Sequence, residues 1–261
     1  MLCESVYGWV YGTYNFKKNK LSSQQILLLS EKLVQVNATK PSELHRSVRP
    51  IKTLKNWKGV EYRTILLYVG PIILKEFLNY DVYHNFMVLH TAVTILSCDY
   101  YHQHISVAEQ LIKDYINQYA QLYGSDSVGS NVHNLCHIVQ DVKNYGNLSQ
   151  ISSYAFENYL GKIKMLLRSG NRPLAQIAKR IRELENFGYA TSPADSKAVL
   201  KDEMGQKDNI KIFKTVLLTN LIMKSDKKNR WFLTKNNKIV KMIYASRQNN
   251  NIIICAAPVE Y

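Results

Sequence analysis

Two histidines flank a cysteine in the segment NVHNLCHIVQDV, at a spacing that metal sites use. His133 and His137 are four residues apart, so on a helix they project from one face and can share a metal ion, with Cys136 between them. The zinc-protease pattern places a glutamate directly after the first histidine, and Asn134 stands there instead. No third ligand can be identified. We therefore predict no metal site, keep the two histidines as candidates, and expect them to cap and pack a mostly buried helix.

Three acidic side chains between residues 61 and 160, Glu61, Asp141 and Glu157, are considered as candidates for catalysis. Glu157 follows Phe156 at a predicted helix start, where a negative charge suits the helix dipole. Asp141 is typical of a solvated helix end. The sequence contains no paired-acid signature, no nucleophile-and-base arrangement and no glycine-rich phosphate loop, so no active site can be assembled from these residues.

Positive charge is concentrated between residues 162 and 182. Lys164 and Arg168 are predicted to share one face of a helix, and Pro173 suits the first turn of the next. Such a surface would contact phosphate oxygens without sequence preference, although an ordinary solvated basic face is an equally simple interpretation. The candidate DNA-binding residues are Lys162, Lys164, Arg168, Arg172, Lys179, Arg180 and Arg182.

The net charge of +14 is unevenly placed along the 261 residues. Residues 1–60 carry 10 lysines and arginines against 3 acids, residues 61–160 carry 4 against 9, and residues 161–261 carry 20 against 8. Basic ends around an acidic middle fit a partner rich in phosphates better than a uniformly basic surface would.

The elements that must position these residues are predicted to be mainly helical. Apolar side chains recur every three or four residues in 21–36, 81–98, 105–123 and 131–142, and Gly70-Pro71 breaks or kinks a further helix. After Asn209 the apolar runs become short and β-rich, separated by SDKK, KNNK and QNNN. We therefore predict a mainly α fold: a multi-helix domain over 1–190, a linker over 191–208, and a small antiparallel β module over 209–261, open or cut short.

The composition indicates a soluble chain inside the cell. No apolar run approaches the roughly 18–20 residues that span a bilayer, and the N-terminus lacks the basic start of a secretory signal. The four cysteines form no CxxC pair, so neither a disulfide framework nor a cysteine zinc site is expected. We expect no membrane partner.

Two blocks of sequence resemble a known family. The segment RSVRPIKTLKNWKGVEYRTILLYVGPIILKEFL carries Arg46, Arg49, a Trp-Lys pair, Glu61 and then LLY-x-GP. The segment from Asn131 to Ile181 carries N-x-H-x-L-x-H-x-x-x-D-V, then Y-G-x-L and F-E-N-Y. Together they resemble the C-terminal part of animal transposase-domain proteins derived from CACTA-like (En/Spm) DNA transposons. The resemblance covers about residues 21–182, and the β-rich tail is similar to a module that often follows.

The resemblance implies a DDE-type, RNase H-like nuclease ancestry that used two Mg²⁺ ions on nuclear DNA. The family's D-x-x-H element is reduced here to Glu4-x-x-Tyr7, and the strand that carries the first aspartate is absent. Glu157, within FENY, is the one candidate for a vestigial acid. We therefore expect a transposon-derived, catalytically inactive protein that binds no magnesium or other cofactor and retains non-specific DNA binding in the nucleus. The alternative is a domesticated or relic helical scaffold for protein–protein interaction, with self-association among its uses.

Overall fold

A helical region followed by an antiparallel sheet makes up the computed structural model, which describes residues 2–41, 44, 46–186, 198–207, 210–218, 221–249 and 251–258. This confirms the predicted mainly α fold class with a small β module at its end. The α-helices in the described residues are α1 (Leu2–Tyr11), α2 (Ser23–Val36), α3 (Gly59–Thr64), α4 (Gly70–Ile73), α5 (Tyr80–Leu96), α6 (Ile105–Tyr123), α7 (Ser130–His133), α8 (Leu135–Tyr145), α9 (Tyr154–Met165) and α10 (Pro173–Asn186). None of these described helices is both long and apolar enough to cross a lipid bilayer.

The chain divides into two compact units. The first contains Met1–Ala38 and Leu44–Glu157, and the second contains Thr39–Glu43 and Asn158–Tyr261. The boundary between them falls within α9. Short 3₁₀ turns connect the helices of the first unit at Tyr14–Asn19, Ile51–Asn56, Leu74–Glu76, Asp99–His104 and Ser125–Ser127.

A cluster of aromatic side chains forms part of the otherwise mainly aliphatic core of the first unit. Successive turns of α6 bury Tyr115, Tyr119 and Tyr123, which confirms the rhythm expected for residues 105–123. The ring of Phe16 stacks on Tyr123 with 3.9 Å between centroids, and Trp9 Nε1 donates a hydrogen bond of 3.1 Å to the Tyr123 hydroxyl. Burial raises the pKa of Tyr119 to about 12, because ionisation would place a charge in this apolar interior.

Local signals in the sequence set the start of α2. The hydroxyl of Ser22 accepts a hydrogen bond of 3.2 Å from the Gln25 N–H, and the Gln25 side chain accepts one of 2.9 Å from the Ser22 N–H. This reciprocal pair is a capping box, which satisfies two of the amides that a helix start leaves free. Ser22 is therefore the N-cap, as its residue type predicts.

Gly70-Pro71 predicts a break or kink in a helix, and a π turn over Ile65–Val69 lies directly before this pair. The helix therefore widens at this point instead of ending. The Gly70 N–H donates to the Ile65 carbonyl five residues back. Proline has no N–H to continue that pattern, and the carbonyl of Leu66 is met instead by His90 Nδ1 at 2.8 Å. A Cβ at position 70 would lie 2.4 Å from the Ile65 carbonyl oxygen, so the turn requires glycine there.

The β module is an antiparallel sheet of six described strands: β1 (Val199–Lys207), β2 (Ile210–Leu217), β3 (Ile222–Lys224), β4 (Trp231–Leu233), β5 (Ile239–Gln248) and β6 (Asn251–Pro258). The long strands lie in the order β1–β2–β5, with β6 on the far side of β5; the short strand β3 pairs with β2, and β4 pairs with β5. A small core forms around Val216, Met223, Met242 and Ala245.

The first strand lies within the stretch 191–208 that we predicted to be a linker. β1 has the sequence VLKDEMGQK, which lacks apolar alternation, so periodicity does not reveal it. It forms because its backbone pairs with β2 from Val199↔Leu217 to Lys207↔Ile210, across a bulge between Glu203 and Gly205. The β module therefore begins at least ten residues before 209, and the rest of the predicted linker, 191–197, lies outside the described residues.

Candidate nucleic-acid interface

The joint between α9 and α10 is held by one glutamine. The amide nitrogen of Gln176 donates to the Ser169 carbonyl at 3.2 Å and to the Ser169 hydroxyl at 3.1 Å, and it also contacts the Asn171 carbonyl. Its amide oxygen accepts a hydrogen bond of 3.0 Å from the Arg168 N–H. A single side chain therefore satisfies four backbone or hydroxyl groups of the turn that carries Arg168. The sequence alone gives no sign that Gln176 has this role.

The prediction that Lys164 and Arg168 share a helical face is wrong. Helix α9 ends at Met165, and the next two amides bond three residues back, from Leu166 to Ile163 and from Leu167 to Lys164. Arg168 therefore lies in the joint and not on the helix. The Ser169-Gly170 pair favours a turn, and Gln176 binds the Arg168 amide that a longer helix would have used.

The joint presents its cations to solvent. Lys162 and Lys164 lie in the last turn of α9, where positive charge is favourable, and both are exposed. Arg172 is exposed and has a left-handed backbone with φ of 45° immediately before Pro173. Lys179 and Arg182 are also exposed and are three residues apart, so they lie on one face of α10.

Arg180 differs from the other six cations. Its Nη1 lies 2.6 Å from the Glu183 carboxylate, one helical turn away, and its side chain is half-buried. Its charge is largely committed to this pair. Within the described residues, no carboxylate lies within 4 Å of the other six cations, so they remain available to an external anion.

A second basic surface, which the net charges of the three segments did not reveal, lies on the β module. The turns between β3 and β4 and between β4 and β5 carry exposed lysines, which the sequence showed only as separators between strands. Asp226 holds the first turn by accepting hydrogen bonds of 2.8 Å from the amides of Lys228 and Asn229. The exposed lysines of these turns are Lys227, Lys228, Lys235 and Lys238.

The two histidines do not lie in a mostly buried helix, so that expectation is wrong. His133 ends α7 and His137 lies in α8, and both side chains are exposed, as is Cys136. The rings form an edge-to-face pair with 5.7 Å between centroids. The apolar stripe faces the other way and buries Val132, Leu135, Val139 and Val142. Across the described part of the chain, no group of three or more His, Cys, Asp or Glu side chains has the arrangement of a metal site.

The two acids that the family resemblance singled out lie on different helices. Glu157 is exposed in the first turn of α9, where its amide donates to the Ser153 carbonyl at 3.0 Å. Glu4 lies in α1 and accepts a hydrogen bond of 2.8 Å from the Asn131 side chain. The Glu4 side chain therefore has a local structural role, whereas the bond of Glu157 involves only its backbone.

The arginines and glutamate of the first sequence block form a buried clamp. Glu61 is 0% exposed, and it accepts hydrogen bonds from Arg49 Nε at 2.8 Å and Arg49 Nη2 at 2.7 Å. The Lys58 N–H donates a third bond at 2.8 Å, and Arg46 approaches to 3.8 Å. Burial raises the pKa of Glu61, but the hydrogen bonds from Arg49 and Lys58 outweigh it and hold the pKa below its ordinary value. These motif residues fix the loop before α3.

Comparison with known proteins identifies no similar chain. No protein-family model matches the sequence, and neither curated proteins nor solved structures yield a similar chain.

Proposed function

We propose that this chain is a transposon-derived, nuclear protein that binds DNA through the phosphate backbone and does not cut it. The observation that carries the proposal is the joint between α9 and α10, where six exposed cations have no carboxylate within 4 Å among the described residues. The resemblance to CACTA-type transposase proteins supports DNA as the polyanion and the nucleus as the location.

Binding of this kind follows from charge neutralisation. Each lysine or arginine that reaches a phosphate releases a condensed counterion, which favours association at low salt. If all six exposed cations reach phosphates, the slope of log affinity against log salt is about −5. Contacts to phosphate alone do not distinguish bases, so affinity is expected to be similar for unrelated duplexes of equal length.

The test is fluorescence anisotropy with duplex DNA at several salt concentrations. The variant K164A/R168A/K179A/R182A removes four exposed cations and leaves the Arg180–Glu183 pair intact. It should bind more weakly and make the slope shallower by about 3 to 4. A matched control, K17A/K18A/K52A/K55A, removes the same charge from exposed lysines of the first unit and should change the slope far less.

Other outcomes of this experiment contradict the proposal. Equal losses in the two variants would mean that net charge alone attracts DNA, and no binding at low salt would exclude DNA binding. A variant lacking Lys227, Lys228, Lys235 and Lys238 tests whether the β module is the true contact surface. Cleavage of DNA by the purified chain with Mg²⁺ would overturn the inactive assignment.

A scaffold function without DNA binding is the second candidate, and one observation favours it. Large apolar side chains of α9 and α10 are exposed, which is typical of surfaces that other proteins cover. The exposed members are Phe156, Tyr159, Leu160, Met165, Leu174 and Leu184.

A further inference from the structure

The apolar side chains of α10 follow the spacing of a coiled-coil seam. Leu174, Ile177, Ile181 and Leu184 are separated by three, four and three residues, which is the a–d–a–d pattern over two heptads. Leu174 is 81% exposed and Leu184 is 39% exposed, and the two isoleucines between them are half-buried. The seam therefore reaches solvent mainly at its two ends, at Leu174 and Leu184.

The charges beside the seam are complementary to a second copy of the same helix. With Leu174 at position a, Arg180 takes position g and Glu185 takes position e of the next heptad. In a parallel pair, the g residue of one helix meets the e residue five positions later on the other. Each Arg180 would thus face the Glu185 of the second copy, on both sides of the seam.

We propose that α10 pairs in parallel with α10 of a second copy of this chain. Ile181 at a and Leu184 at d match the β-branched and γ-branched preference of two-stranded coiled coils, whereas Leu174 at a and Ile177 at d reverse it. Arg180 exchanges its bond to Glu183, within its own helix, for one to Glu185 across the seam. Two heptads bury little surface, so the dimer is weak and reversible.

This pairing leaves the candidate DNA contacts free. Lys179 and Arg182 occupy the outer heptad positions f and b, and Arg172 lies before the first seam residue. A dimer would present two such basic faces, one from each copy. The inference does not depend on DNA binding, since it rests on the seam and its flanking charges.

Sedimentation equilibrium of the full chain over a wide concentration range tests the pairing. The wild-type chain should show a concentration-dependent monomer–dimer equilibrium. Leu174→Glu places charge in the seam at an exposed position and should weaken self-association about tenfold or more. Ile72→Glu alters a residue that is 74% exposed in the first unit and should leave self-association unchanged. Circular dichroism verifies that each variant is folded.

A charge exchange tests the parallel register. Arg180→Glu and Glu185→Arg each place like charges opposite one another, so each should weaken the dimer. The double variant R180E/E185R restores opposite charges across the seam and should recover dimerisation. Positions 180 and 185 are not neighbours on one helix, so an effect within the helix cannot produce this recovery.

Several results would overturn the inference. A chain that stays monomeric at all concentrations, or a dimer that Leu174→Glu leaves intact, rules out this seam. A dimer that Leu174→Glu weakens but the charge exchange fails to restore rules out the parallel pairing.

Discussion

Arg49 and Glu61 form a bidentate ion pair in which the carboxylate is completely buried. Nε and Nη2 of the arginine each approach a different oxygen, at 2.8 and 2.7 Å. The same guanidinium group also contacts the Asn56 carbonyl, so Arg49 joins the loop before α3 to the start of that helix. The pair therefore fixes the start of α3, the helix that continues into the π turn.

Removing one partner of this pair should be strongly destabilising. Arg49→Ala leaves a buried carboxylate with its charge uncompensated, and we expect the free energy of unfolding to fall by about 3–5 kcal/mol. Arg46→Ala is the control, because Arg46 is half-exposed and 3.8 Å from Glu61, and it should cost less than about 1 kcal/mol. Urea denaturation measures both. Similar losses in the two variants would show that the pair is not the clamp.

The pair should also make stability depend on acid pH. Because the folded pKa of Glu61 is below its unfolded value, folding releases a proton, and the stabilisation is fully present above the unfolded pKa. It is lost as pH falls through the folded pKa. We expect Glu61→Gln to be less stable than wild type near neutral pH and to lose less stability on acidification. Urea midpoints across this pH range measure the difference, and parallel pH profiles would contradict the assignment.

Gly8 is required because the Phe16 ring lies against it. A Cβ at position 8 would come within 2.2 Å of that buried ring, which the neighbouring tyrosines hold in place. We expect Gly8→Ala to destabilise the chain by about 1–3 kcal/mol through overpacking. Gly161→Ala is the matched control, because it lies within α9 with no atom near its Cβ position, and should stabilise by about 0.5–1 kcal/mol. Thermal unfolding followed by circular dichroism distinguishes the two signs.

Gln176 should affect DNA binding although it carries no charge. Gln176→Ala releases the turn that carries Arg168, so the cations of the joint lose their fixed arrangement. We expect weaker affinity with an unchanged salt slope, because no phosphate-neutralising group is removed. Anisotropy titrations at three salt concentrations test this, with Gln140→Ala on α8 as the control. A change in slope would show that the substitution removes phosphate contacts.

The amino-acid sequence predicts the helices better than it predicts the joint. Residues 105–123 carry a long 3.6-residue rhythm, so α6 could be placed at Ile105–Tyr123 without tertiary information. The strand β1 could not be placed in this way, because its sequence is polar and its backbone contains a bulge. It forms through its pairing with β2. The end of α9 depends on Gln176, whose side chain binds the amide of Arg168 eight residues earlier. A contact of this kind leaves no periodic pattern in the sequence. The charged residues were visible in the sequence, but the commitment of Arg180 to Glu183 appeared only in the structure.

The π turn over Ile65–Val69 has a consequence for how this chain can vary in length. A π turn holds one residue more than the same stretch of α-helix, so its bulge amounts to a single surplus residue stored in the helix. Deleting one residue there would let the helix close into regular α geometry while the flanking segments keep their positions. The distance in sequence between Trp57 and the Gly70-Pro71 pair can therefore shorten by one residue among related chains without a change in fold.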